Sequence, residues 1–198
     1  MDIISATLEM YKGMDRETAF LQLSSGMRCL PDCGDCCENP NVEASVLEAI
    51  PLANDILLRH QEEDLLSAVE HKQSQDDHIC VLYRKGPGGP EKGRCSNYAF
   101  RPLLCRLFGF AARRDKYGRL ELCPCKHIKA DQPESTFRAQ IFISTTPSAP
   151  IYQDLFMKVA SLDPNLGFRR LPINLAIKQA IEYLHWKHPA DIRCKRAA

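Results

Sequence analysis

Four cysteines fall within nine residues, as Cys29-x3-Cys33-x2-Cys36-Cys37, and five more follow: Cys80, Cys95, Cys105, Cys123 and Cys125. Thiolates at such spacings are the soft donors that zinc and iron–sulfur clusters take. In Cys33-x-x-Cys36 the intervening turn draws two sulfurs together, and its backbone N–H groups face them and lower their pKa. Cys36 and Cys37 are neighbours whose side chains diverge in an extended chain, so they are expected to serve different metals, or one of them none. Single-residue spacing sets Cys123 and Cys125 on one side of an extended segment, with Pro124 stiffening the link. Four protein ligands satisfy a zinc ion or a four-iron cluster. Nine candidates therefore suffice for two sites, with one to spare.

The distribution is itself informative. Nine of the ten cysteines lie in the 97 residues from Cys29 to Cys125, and the other 101 residues hold only Cys194. A cysteine is often just a small buried hydrophobe, but that reading does not explain such crowding. The N-terminus has early acids and no positive n-region, and no run of eighteen apolar residues occurs, so a secreted or membrane-spanning chain is not expected. In the reducing cytoplasm that remains, structural disulfides do not persist, and metal ligation becomes the economical reading. Lys and Arg total 26 against 25 acids, a net charge of +1. That balance argues against broad binding to nucleic acid or anionic lipid.

The string Cys95-Ser-Asn-Tyr98-x-x-Arg101-Pro102-x-x-Cys105-Arg106-x-Phe108, with Cys33-x-x-Cys36-Cys37 upstream and the lone Cys80, resembles the YkgJ-type cysteine-cluster family, a zinc- or iron-chelating domain. The resemblance covers about residues 29–130. It implies metal ligands at Cys29, Cys33, Cys36, Cys37, Cys80, Cys95, Cys105, Cys123 and Cys125. It also extends to the domain of flagellin lysine-N-methylases, implying that an enzymatic relative exists. The chain departs from the family in a Gly/Pro-rich insertion between Cys80 and Cys95 and in a long C-terminal region.

A site of four thiolates around divalent zinc has a net charge of about −2 and is costly to bury uncompensated. Arg101 and Arg106 are therefore expected to help hold the centre by donating charge-assisted hydrogen bonds to sulfur, Arg106 foremost; the alternative is pairing with surface acids. Tyr98 and Phe108 are expected to pack around the site. His78 and His127, two residues from Cys80 and Cys125, are read first as surface or hydrogen-bonded histidines and second as zinc ligands. Because cysteines outnumber what one zinc needs, an iron–sulfur cluster is slightly favoured over zinc.

The elements that must position these residues are mostly helical. Asp15 is a candidate cap for a helix at 16–27 with Ala19, Phe20, Leu23 and Met27 on its apolar stripe. Ser45-x-x-Glu48 is a capping box, Pro51 should kink or restart the helix it opens, and an interruption near Arg59-His60 precedes helix to about Lys72. Residues 78–83 suit a short strand, and Gly86–Gly93 an exposed loop. Leu107–Arg113 and Arg119–Leu122 around Asp115–Gly118 read as a β-hairpin. Tyr152–Ser161 and a stretch capped by Asn174, running through Ile177, Ile181, Leu184 and His185, complete the helices, with the stripe ending in Trp186 read as core. The expected fold is mostly α with a small hairpin: a metal-organised domain at 29–130, a helical segment at 1–28, and a helical extension at 131–198 packed on it.

Other chemistries fit less well. Cys33-x-x-Cys36 lacks the preceding strand of a redox dithiol enzyme. The basic run Arg113-Arg114-x-Lys116-Tyr117-x-Arg119 reads as a solvated turn before it reads as a nucleic-acid contact. No Ser/His/Asp triad, phosphate loop or dinucleotide fingerprint is present. Cys194, in a basic tail, reads as a free thiol. Three functions follow: a cytoplasmic metal- or cluster-binding protein, a cluster-dependent enzyme like the protein lysine methylases, and an interaction module with structural zinc. A protein partner is compatible with all three.

Overall fold

Thr7, Tyr11, Met14, Thr18, Leu21 and Ser25 recur every three or four residues and form the buried face of the first helix, α1 (Ile3–Ser25). A computed structural model describes residues 2–31, 33–86, 93–146 and 149–187 of the chain. In it, α1 starts a full three turns before the expected point. Asp2, not Asp15, is the N-cap, its carboxylate accepting from the Ser5 amide at 2.9 Å. The expected stripe is rotated as well: Phe20 is 50% and Leu23 85% exposed. Half of the true buried face is threonine or serine, which hides its period from a reading of apolar residues.

Beyond α1, a one-turn helix α2 (Asp35–Glu38) carries Cys36 and Cys37. Strand β1 (Glu43–Ala44) precedes α3 (Val46–Leu58) and α4 (Glu62–Ser74). The capping box forms as expected, with Ser45 Oγ accepting from the Glu48 amide and Glu48 Oε1 accepting from the Ser45 amide. Pro51 does not break α3. Every residue from Val46 to Ala53 is buried, and that packing holds the turn against the hydrogen bond proline removes. The break between α3 and α4 falls where expected, at His60, whose φ of 54° lies in the left-handed region.

Strands β2 (Tyr83–Lys85) and β3 (Gly93–Cys95) pair antiparallel, Tyr83 opposite Cys95. The strand expected at 78–83 thus begins only at its last residue. Upstream the backbone is held by Asn174, which accepts from the Val81 amide at 2.8 Å and donates to the Ile79 carbonyl at 3.0 Å. Asn174 lies inside the last helix and does not cap it. Residues 87–92 of the expected loop lie outside the described residues.

Helix α5 (Leu103–Leu107) takes up the start of the expected hairpin, which is confined to β4 (Ala112–Arg114) and β5 (Leu120–Leu122). Its basic run is paired with acids: Arg113 with Glu121, Arg114 with Asp154 and Arg119 with Asp115. Helices α6 (Lys126–Asp131), α7 (Pro133–Thr145), α8 (Tyr152–Ala160) and α9 (Pro164–Gly167) follow, then β6 (Leu171–Pro172), paired with β1, and α10 (Ile173–Lys187).

The fold is mostly α with three small antiparallel strand pairs among the described residues. One core joins α3 to α10 through Leu47, Ile50, Ile177 and Ile181, and takes in Tyr11 and Met14 of α1. A second lies between α1, the β4–β5 hairpin and α7, around Leu21, Met27, Leu122 and Ile143. The buried face of α10 ends at Leu184; Trp186, expected in the core, is 79% exposed. Among the described residues no helix is long and apolar enough to cross a membrane.

Candidate metal centre

Between the two cores lies a cavity of about 410 Å³, and eight cysteines line it. Cys29 and Cys33 come from the loop after α1, and Cys36 and Cys37 from α2. Cys80 precedes β2, Cys95 ends β3, Cys105 rides on α5, and Cys125 caps α6. Among the described residues, no three histidine, cysteine or acidic side chains stand close enough together to hold an ion as they are. The thiols share one space without being gathered at one point.

Cys123, the ninth candidate, is placed differently. It lines a second cavity of about 380 Å³, shared with Pro124, Cys125 and Arg113. Its Sγ donates to the Glu121 carbonyl at 3.8 Å. The one-sided arrangement expected of Cys123 and Cys125 requires an extended segment, but the chain turns into α6 at Cys125, whose sulfur accepts from the Ile128 amide at 3.4 Å. Cys36 and Cys37 likewise sit on a helical turn instead of an extended chain, and both face the first cavity. Cys194 lies outside the described residues.

Two glycines bring the Cys29–Cys37 loop against the β2–β3 pair. A Cβ on Gly34 would lie 2.6 Å from the Gly93 carbonyl carbon and from the Tyr83 ring, and one on Gly93 would lie 2.2 Å from that ring. Tyr83 continues the junction by donating its hydroxyl to Glu38 at 2.6 Å. Gly34→Ala is expected to push the loop off the hairpin, costing about 1–3 kcal/mol and lowering metal content. Gly13→Ala, in α1 with its nearest neighbour at 3.9 Å, is the matched control and should leave both unchanged or raise stability. Melting curves and elemental analysis of the pair check this; equal behaviour of the two variants would contradict it.

Burial disfavours most of the thiolates. It pushes Cys80 up to about 11 and raises Cys95 and Cys105 as well. Cys36 is the exception. A hydrogen bond from Cys37 holds it down to about 7 and keeps the shared proton on Cys37. Arg101 reinforces this by its charge, which favours the thiolates of Cys36, Cys95 and Cys105. It is set in place by stacking 3.3 Å from the Tyr98 ring centroid and by donating to the carbonyls of Tyr98 and Cys105.

Arg106 corrects an expectation. It donates to Asp15 at 2.6 and 2.7 Å and to the Ala99 carbonyl at 2.7 Å, and it lies 4.4 Å from the Tyr11 ring centroid. No hydrogen bond joins it to a sulfur among the described residues. Its partner is 91 residues away, so no local signal could have revealed it. Of the histidines, His127 lines the cavity 3.5 Å from Asp35, whereas His78 is exposed beside Asp76. Phe108 borders both cavities, and Tyr98 borders the first although it is largely exposed. Thr18 and Asn97, which the sequence did not single out, and Asp15, read there only as a helix cap, also line the first cavity.

A helical domain with a thiol-walled interior defines a metal-binding class, because soft sulfur donors in this number suit zinc or iron. The family model CxxCxxCC, described as "Putative zinc- or iron-chelating domain", matches residues 28–126. The chain belongs to this family. Its first spacing departs from the family's name, since three residues separate Cys29 from Cys33. Neither the curated proteins nor the solved structures contain a match to the chain.

Proposed function

We propose that the chain is a cytoplasmic metal-binding protein that holds iron–sulfur through Cys29, Cys33, Cys36, Cys37, Cys80, Cys95, Cys105 and Cys125. The observation that supports this is the convergence of eight cysteines, from stretches almost a hundred residues apart, on one cavity. Eight thiols match two four-ligand sites, and the position of Cys123 on the other cavity supports leaving it out. Zinc is the second reading, favoured by His127 on the same wall. Iron and acid-labile sulfide in anaerobically purified protein, with a visible iron–sulfur chromophore, is the expected result. A colourless protein retaining zinc would shift the reading to zinc.

The thiols stand around the cavity, so binding has to draw its walls inward and couples metal to the order of the whole region. Arg101 offsets part of the negative charge that thiolates bring. Ligation needs thiolates, and burial keeps Cys80 and Cys105 protonated at neutral pH. Loading therefore releases protons, and affinity rises with pH toward those raised values and falls as pH drops. Competition titrations with a metal chelator at several pH values measure this. An affinity that stays flat from about pH 6 to 8 would contradict the thiol assignment.

A further inference from the structure

The β2–β3 pair sets two like charges against each other at the edge of the thiol-lined cavity. Arg84 lies directly opposite Arg94 in the register, and like charges so placed repel. Both are exposed, as is Lys85 beside Arg84. Arg94 and the largely exposed Tyr98 both line the cavity, so it opens to solvent on their side. Arg101 lines it too, its guanidinium 3.3 Å from the Tyr98 ring centroid. Burial raises the Cys95 thiol, and the charges of Arg101 and Arg84 both act against that rise, which puts both beside the same sulfur.

Arginines elsewhere are mostly balanced: Arg59, Arg113, Arg114 and Arg119 each pair with an acid. Among the described residues no carboxylate pairs with Arg84, Arg94 or Arg101, and the side-chain hydrogen bonds of Arg84 and Arg101 end on main-chain carbonyls. Acids of the neighbouring elements are engaged otherwise, Asp35 with Lys126, Asp55 with Arg59 and Glu38 with the Tyr83 hydroxyl. Glu91 and Lys92, between the two strands in sequence, cancel in charge. Positive charge therefore gathers at one rim of a chain whose net charge is only +1.

We propose that this rim docks the acidic face of a partner protein over the mouth of the thiol cavity. Carboxylates on the partner relieve the repulsion between Arg84 and Arg94, which nothing within the described residues does. The cations are exposed and spread along the rim, whereas a small anion needs polar groups converging within a pocket. Arg84, Lys85, Arg94 and Arg101 are also fewer than the roughly 6–10 phosphate contacts of a strongly salt-dependent nucleic-acid complex. Tyrosine and arginine together are the side chains that protein interfaces favour. Charges at such a rim speed encounter and set the orientation of the partner, here bringing it to the open side of the cysteines. The docking rests on the rim itself and is tested apart from the metal reading.

The test uses the full chain as purified anaerobically, with a fluorescein-labelled oligoglutamate peptide as the acidic probe and a labelled oligouridylate of equal charge for comparison. A saturable rise in anisotropy is expected with the peptide, fading as salt goes from about 20 to about 200 mM, and weaker binding of the oligouridylate. Arg84→Gln combined with Arg94→Gln should weaken peptide binding at least about tenfold. Arg169 is exposed and does not line the cavity, and Arg169→Gln should bind as the parent does. Because the double variant relieves a like-charge repulsion, it should melt no lower than the parent and retain its metal. No saturation in the parent, undiminished binding by the double variant, equal weakening by Arg169→Gln, or tighter binding of the oligouridylate would each overturn the proposal. So would loss of metal or stability in the double variant, because the two arginines would then serve the thiolates or the fold. A parent that binds the peptide through these residues but carries no metal would leave this proposal standing and remove the metal reading instead.

Discussion

Serine at position 36 or 105 is expected to strip most of the bound metal and to destabilise the fold, while Cys194→Ser does neither. Cys36 has the most available thiolate of the cavity, held down to about 7 by its hydrogen bond from Cys37, so its loss removes the donor that is ready at neutral pH. Cys105 contributes from α5, a different stretch of chain, and its loss unties that stretch from the shared centre. Where metal binding orders a region, losing the metal removes folding free energy. An effect of about 4 kcal/mol is expected for such a loss, or roughly 8–16 °C in melting temperature for a chain of this size. Cys123→Ser, on the second cavity, should keep its metal. Elemental analysis and thermal melts of the four variants check the set. Equal metal content in all of them would overturn the assignment of the site.

The second large effect centres on Glu48, a carboxylate with no exposed surface. It accepts from the Ser45 amide and hydroxyl at 3.1 Å, from the Leu103 amide at 3.1 Å, and from Arg170 at 2.7 Å. One side chain thus closes the start of α3, anchors the start of α5 and neutralises a cation from the chain just before β6. Glu48→Ala leaves Arg170 without its acid and the Leu103 amide without an acceptor. Breaking a buried pair in this way costs about 3–5 kcal/mol. Because α5 carries Cys105, metal content should fall in parallel. Denaturant unfolding and elemental analysis measure the two effects. A stable variant depleted of metal would show that Glu48 positions the site without holding the fold.

The sequence revealed what depends on local spacing and composition. Ser45 and Glu48 declare their capping box within four residues, the break at His60 interrupts a clear period, and the Asp115–Gly118 turn marks the hairpin. The cysteine crowding declared a thiol-rich centre before any contact was known. Long-range pairings were not legible. The placement of α1 depended on buried Thr7, Thr18 and Ser25, which look polar and therefore exposed. The stretch at 78–82 is fixed by Asn174, nearly a hundred residues away, so its strand-like composition counts for little. Arg106 sits beside a cysteine but is claimed by Asp15, which read as a helix cap. Cys123 and Cys125 separate because the chain turns into α6 at Cys125, a boundary that alternation alone could not foresee.

The central claim is that sulfurs distant along the chain close on a common metal centre. X-ray absorption at the metal edge of anaerobically purified protein tests it most directly, since one spectrum reports both the element and its ligands. The account predicts iron, or failing that zinc, with a first shell of sulfur at about 2.3 Å. A first shell of oxygen and nitrogen without sulfur would contradict it.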